Sequence, residues 1–166
     1  MAATYEPIAT TTLTTSTATV SFTSISGSFT DLIMVANIAQ ASGDNALRFR
    51  FNDDSGTNYS VTYLKGNGST ASSSRLSSIT SGYMDTSGSL TIEANYILQI
   101  MNYSNSTTYK TALDRGNRAS YGTDVGVNLW RSTSAITKIT LALGGSFPNN
   151  NFASGSTFTL YGIASA

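Results

Sequence analysis

The chain has no cysteine and no histidine among its 166 residues. Disulfides, thiolate or imidazole metal sites, haem ligation, iron–sulfur clusters, Ser-His-Asp triads and Cys-His pairs are therefore excluded by composition. Charge is scarce as well. Charged residues make up 11% of the chain, with nine Lys+Arg against nine Asp+Glu, where an ordinary domain carries about a quarter. A neutral chain lacks the basic surface that nucleic-acid binding demands, so no nucleic-acid partner is expected. No apolar run approaches the roughly 20 residues that cross a bilayer as a helix, so no membrane association is expected either. The opening MAATYEPIATTT has neither a basic start nor an apolar stretch, and reads as no signal peptide.

Small polar residues fill the space that charge leaves. There are 26 Ser, 25 Thr, 13 Asn and 14 Gly. Hydrophobic residues at 40%, with nine Tyr and seven Phe, still supply enough apolar surface for one packed domain, which argues against disorder.

The apolar residues recur with period two, the signature of half-buried strands. Ala18–Phe22, Leu47–Phe51, Tyr59–Tyr63, Ile139–Leu143 and Phe158–Leu160 all alternate. Leu90–Ile100 keeps the alternation longest and reads as a central strand. Asp31–Ile38 is apolar on both faces, as in a strand buried on both sides or covered by a partner. Thr107–Leu113 and Asp124–Trp130 complete the set. Gly, Asn, Asp and Ser clusters separate these runs at Ser26–Ser28, Ser42–Asn45, Asn52–Gly56, Lys65–Gly68, Ser87–Ser89, Asn102–Asn105, Gly144–Gly145 and Pro148–Asn151.

No stretch has a helical period. The pattern predicts an all-β protein, an antiparallel β-sandwich of about eight to ten strands. A jelly roll fits this length better than an immunoglobulin-like sandwich of about 100 residues. Residues 18–166 form the single domain, and residues 1–17 precede it as an extended arm or edge strand. The low-complexity stretch Thr70–Ser81 reads as a surface loop.

Several segments are candidates for chemistry. Asn52–Asn58 (NDDSGTN) is dense in the oxygen ligands that a hard cation takes, but those residues also build hairpin turns and the spacing is not that of a calcium loop; no metal is assigned. Tyrosines and Trp130 suit either sugar stacking or strand packing. Asp114–Arg118 (DRGNR) reads as a loop carrying two arginines beside an acid, and Arg48 and Arg50 project from the solvent face of a strand. For paired-carboxylate catalysis the candidates are Glu6, Asp31, Asp53, Asp54, Asp85, Glu93, Asp114 and Asp124. No spacing selects a pair, so the chain is not expected to be an enzyme, and no catalytic residue or cofactor is assigned.

Three segments resemble small virion proteins of tailed bacteriophages. They are the opening Tyr5-Glu-Pro-Ile-Ala with its Thr/Ser/Ala tract and Phe29-Thr-Asp31-Leu32, the middle Leu47–Ser60, and the ending Ile136–Leu141 followed by Asn151–Ile163. The resemblance implies a structural β-sandwich on the phage particle, made in the host cytoplasm. It implies most simply a capsid decoration (cement) protein, a homotrimer that stabilises the shell of the major capsid protein. The alternative it leaves is a tail-fibre or baseplate module that binds a host glycan or receptor. The expected contact residues are Tyr5, Pro7 and Ile8 in the arm, with Arg48, Arg50, Tyr83 and Trp130 in or near loops.

Overall fold

The computed structural model describes residues 4–39, 46–84, 93–119 and 121–164. Twelve strands account for its regular structure. They are β1 (Tyr5–Thr12), β2 (Thr19–Phe22), β3 (Asp31–Ile38), β4 (Leu47–Phe51), β5 (Tyr59–Gly66) and β6 (Ala71–Ile79), then β7 (Gly82–Met84), β8 (Ala94–Met101), β9 (Lys110–Arg118), β10 (Gly122–Trp130), β11 (Ile139–Leu143) and β12 (Thr157–Ile163). They form an eight-stranded sheet, ordered β1-β12-β3-β8-β9-β10-β5-β6, and a four-stranded sheet, ordered β2-β11-β4-β7. Every pairing is antiparallel. The protein is an all-β sandwich, as the period-two pattern predicts. The chain changes sheet at most connections; only β5–β6 and β8–β9–β10 stay within the large sheet.

One side of each sheet supplies the core. Leu47, Phe49 and Phe51 of β4 and Ile139, Leu141 and Leu143 of β11 face Leu32, Met34, Ala36 and Ile38 of β3, with Tyr96, Leu98 and Ile100 of β8 and Phe158 and Leu160 of β12. An aromatic cluster ties the added half of the large sheet to this core. Trp130 of β10 stacks on Tyr59 of β5, with centroids 6.3 Å apart, and meets Phe51 edge-on at 5.5 Å. The Tyr59 hydroxyl accepts a hydrogen bond from the Phe51 amide at 2.9 Å. Gly82 lies against the Phe49 ring, where a Cβ would overlap it.

Side-chain polar groups lock the connections. Asn128 of β10 reaches β7 with both ends of its amide, accepting from the Tyr83 amide at 2.9 Å and donating to the Tyr83 carbonyl at 3.1 Å. Asn52 accepts from the amides of Thr137 and Lys138 and donates to the Ala135 carbonyl. Asp54 takes three donors: the Trp130 indole at 2.6 Å, Asn58 Nδ2 at 2.8 Å and the Gly56 amide at 2.8 Å.

The structure departs from the sequence pattern at several places. Twelve strands replace the expected eight to ten because β1, β6 and β7 carry little alternation. Thr70–Ser81 holds the edge strand β6, paired with β5, and is not a loop. Both faces of β6 are open to solvent, so serines need not alternate with anything. Asp114–Arg118 lies inside β9 and is likewise not a loop. The described part of the Leu90–Ile100 run is β8, fourth in the large sheet and central as expected. Residues 90–92, the turns at 42–45 and 87–89, and Asp85 lie outside the described residues.

Replacing Asp54 by Ala strands the buried Trp130 indole donor, along with Asn58 and the Gly56 amide. We expect a loss of about 1–3 kcal/mol, read by chemical denaturation, with Trp130 fluorescence reporting the change. Unaltered stability would show that the Asp54 bonds hold nothing.

Candidate functional site

Alternation obliges a strand that buries one side to present the other. In β3, β5, β8, β9 and β10 the presented side also carries aliphatic residues. Cross-strand register assembles it into two rows that run across the large sheet. One row is Tyr161–Ile33–Gln99–Leu113–Val127–Thr62. The next is Thr159–Val35–Ile97–Arg115–Val125–Leu64. A third, wholly polar row, Thr157–Asn37–Asn95–Asn117–Thr123, bounds them on one side.

The two apolar rows are open to solvent: Leu64 is 59% exposed, Val125 50%, Leu113 44% and Val127 41%. Scattered surface aliphatics are ordinary, but a continuous aliphatic patch with a polar margin marks a site of contact. Residues of six strands line one shallow trough of about 640 Å³ here, with Tyr5 at one end and Leu64 toward the other. Its polar lining is Thr62, Gln99, Arg115, the tyrosines Tyr5 and Tyr63, and Asp114, whose carboxyl is held by Asn128 on the inner side. Arg115 stands between Ile97 and Val125, with no hydrogen bond or ion pair to a described residue.

The residues expected to contact partners do not share one surface. Tyr5 and Pro7 lie on the edge strand β1, paired with β12, so this segment belongs to the sheet. Tyr5 lines the trough. Ile8 is the extra residue of a bulge between Pro7 and Ala9 and is half-buried against the core. The reading of Trp130 as a contact residue is corrected: it is 2% exposed, held by Tyr59, Phe51 and Asp54.

Arg48, Arg50 and Tyr83 do come together, on the outer side of the four-stranded sheet. The Arg48 guanidinium lies over Tyr83 at 4.9 Å and donates to the Gly144 carbonyl and Ser81. Arg50 lies over Phe147 at 4.2 Å and donates to the Thr80 carbonyl. The trough residues Ile33, Leu64, Ile97, Leu113, Val125 and Val127 are absent from that set of expected contacts. The signal that points to them is apolar character on both faces of one strand, which Asp31–Ile38 displays.

The Asn52–Asn58 loop spends its oxygens on the protein. Asp53 pairs with Lys138 at 2.6 Å and accepts from Thr140 at 2.9 Å, and both Asp54 oxygens hold protein donors. The hydrogen bond from Lys138 holds the Asp53 carboxyl below its usual range. This loop is a structural turn.

Sequence spacing selects no carboxylate pair, yet the sheet brings two together under the trough. Asp114 of β9 and Asp124 of β10 are diagonal neighbours on the inner side. Each faces a glycine across the strand pair: Gly126 opposes Asp114 and Gly116 opposes Asp124. A Cβ at Gly126 would sit 2.6 Å from Asp114 Oδ2, so glycine makes room for the carboxyl. Asn128 donates to Asp114 Oδ2 at 2.7 Å. Lys110 and Arg118 lie buried further along β9, and Lys65 of β5 opposes Asp124. Burial pushes the Asp114 carboxyl up to about 7, against the pull of its hydrogen bonds to Asn128 and Asp124.

No family model matches the chain, and no curated protein matches it. Among solved structures, a protein of unknown function from Shewanella oneidensis MR-1 aligns over 98% of this chain and 71% of its own at 9% identity, with a TM-score of 0.22. A likeness that slight carries neither fold nor function across.

The raised Asp114 carboxyl makes stability depend on pH with a definite sign. The folded state holds this proton more tightly than the unfolded chain. Its contribution is therefore complete below about pH 4 and is lost as pH rises to about 7, a change of up to a few kcal/mol. Asp114→Asn should flatten that slope and raise stability at pH 8. An unchanged slope between pH 4 and 8, measured by urea unfolding, would show that Asp114 does not titrate in this range.

Proposed function

We propose that the protein is a structural component of an assembly, acting by packing the outer face of its eight-stranded sheet against another protein. The observation that carries this reading is the pair of aliphatic rows bordered by an Asn/Thr row. Covering that patch removes apolar surface from water at about 25 cal/mol per Å², while the polar margin stays wet in the manner of an interface rim. The resemblance to tailed-phage virion proteins makes the assembly a phage particle and the protein, most simply, a capsid decoration protein bound to the major capsid protein. Association of copies into a trimer on the shell belongs to the same reading. One trough covers only part of the roughly 800 Å² per partner of a typical specific interface, and repetition over a shell would multiply weak contacts into firm attachment. The strand order supports the jelly-roll reading: β1-β12-β3-β8 and β2-β11-β4-β7 together have the wiring of an eight-stranded jelly roll. The hairpin β5–β6 and the pair β9–β10 then extend its first sheet.

The glycan-binding alternative draws less support. Tyr59, Tyr63, Tyr96 and Tyr103 are buried. Of the exposed tyrosines, Tyr5 lies on β1, and Tyr109 and Tyr121 flank opposite ends of β9, separated along that strand by about 30 Å. They form no common platform for a sugar ring, and the trough's lining is mostly aliphatic at its centre, with Tyr5 at one end.

The test is co-sedimentation of the purified protein with phage particles that lack it. Leu113→Asp combined with Val127→Asp sets two carboxylates opposite each other on the outer face, which lowers the thermal midpoint but leaves the core untouched; the folded variant should lose particle occupancy at least tenfold. Full occupancy by this variant would overturn the reading.

A further inference from the structure

Arg115 restricts what can fill the trough. Arg115 occupies the middle of the second row, opposite Ile97 and Val125 in the register, and has no partner among the described residues. An occupant that covers Ile97 and Val125 lies alongside Arg115 and removes part of its side chain from water. A guanidinium buried without an acceptor costs several kcal/mol, and a carboxylate offsets that cost best, through two parallel hydrogen bonds. The remaining lining limits the occupant further. Aliphatic side chains of Ile33, Ile97, Leu113, Val125, Val127 and Leu64 meet other aliphatic groups without specific geometry, while Gln99 and Thr62 offer only neutral hydrogen bonds. From Tyr5 on β1 to Leu64 on β5 the trough crosses six strand spacings, about 29 Å. That length suits one short polypeptide segment rather than a broad surface.

We infer that the trough receives a single polypeptide segment of a partner protein, one with an aliphatic face that places one Asp or Glu against Arg115. This rests on the reading of the trough as the docking face and adds the partner's chemistry to it. The complementarity is a matter of charge: Asp114 also lines the trough, but its carboxyl is engaged by Asn128 on the inner side, and Arg115 pairs with no described acid, so the acid belongs to the occupant.

The experiment is selection of a displayed library of random 16-residue peptides on the whole protein. Three targets are compared: the protein as it stands, Arg115→Glu, and Leu113→Asp with Val127→Asp, each checked to be folded at the temperature of selection. The expected result is enrichment of aliphatic peptides with Asp or Glu at one position. The double variant should lose that enrichment at least tenfold, and Arg115→Glu should exchange the acid for Lys or Arg. Aliphatic peptides that depend on Leu113 and Val127 but are indifferent to Arg115 would overturn the carboxylate assignment while leaving the docking face intact. Enrichment equal on all three targets, or none on any, would overturn both. Sedimentation of the protein alone adds a separate outcome: an oligomer that dissociates on Leu113→Asp with Val127→Asp would place a second copy in the trough and overturn the inference.

Discussion

The constraint on which this structure depends is the burial of one side of every interior strand of the large sheet while only four strands lie opposite. Phe49, Phe51, Leu141 and their neighbours on the four-stranded sheet hold β3, β8 and β12 from one side. Trp130 and Tyr59 carry the same packing into β10 and β5. Once those inner faces are fixed, period-two geometry leaves no choice about the outer ones. Ile33, Ile97, Leu113, Val125 and Leu64 must point away from the core, whatever their affinity for water. The apolar outer rows are thus a product of the same register that builds the core, and they persist because the register cannot slip without exposing it.

The two outward faces of the sandwich differ in a way that matters for recognition. On the four-stranded sheet, arginines are consumed internally: Arg48 and Arg50 each stack on a ring and donate to a backbone carbonyl. Burial lowers the proton affinity of Arg48, as expected of a cation already partly withdrawn from solvent. On the eight-stranded sheet, aliphatic groups stand open around Arg115, with Arg75 exposed at the β6 edge. A face whose polar groups are already satisfied gains little from a partner. A face of uncovered aliphatics around one cation gains from removal of water and from a matching acid.

Much of the fold was legible because alternation is a local property. Leu47–Phe51, Ile139–Leu143 and Asp31–Ile38 read as strands with the bounds that the structure has. The strands that escaped detection are those whose neighbours do not require alternation. β6 is a serine-rich edge, and β7 has three residues. The Asp114–Arg118 segment misled through composition: Asp, Gly and Asn mark turns, but here the glycines face carboxylates across a strand pair. Trp130 misled because a large apolar side chain beside polar residues looks available until its tertiary contacts are known. The trough itself spans strands far apart in sequence, so no single window could display it. Only the two-sided apolar character of β3 hinted that a face awaited cover.

The most direct measurement of the central claim is cryo-electron microscopy of particles carrying the protein, with the twelve-strand sandwich placed as a rigid body. The account predicts that the outer side of β3, β8, β9, β10 and β5 lies against a neighbouring protein subunit, with an aliphatic segment over Ile97 and Val125. Density that leaves this trough facing bulk solvent, with attachment through another surface, would contradict it.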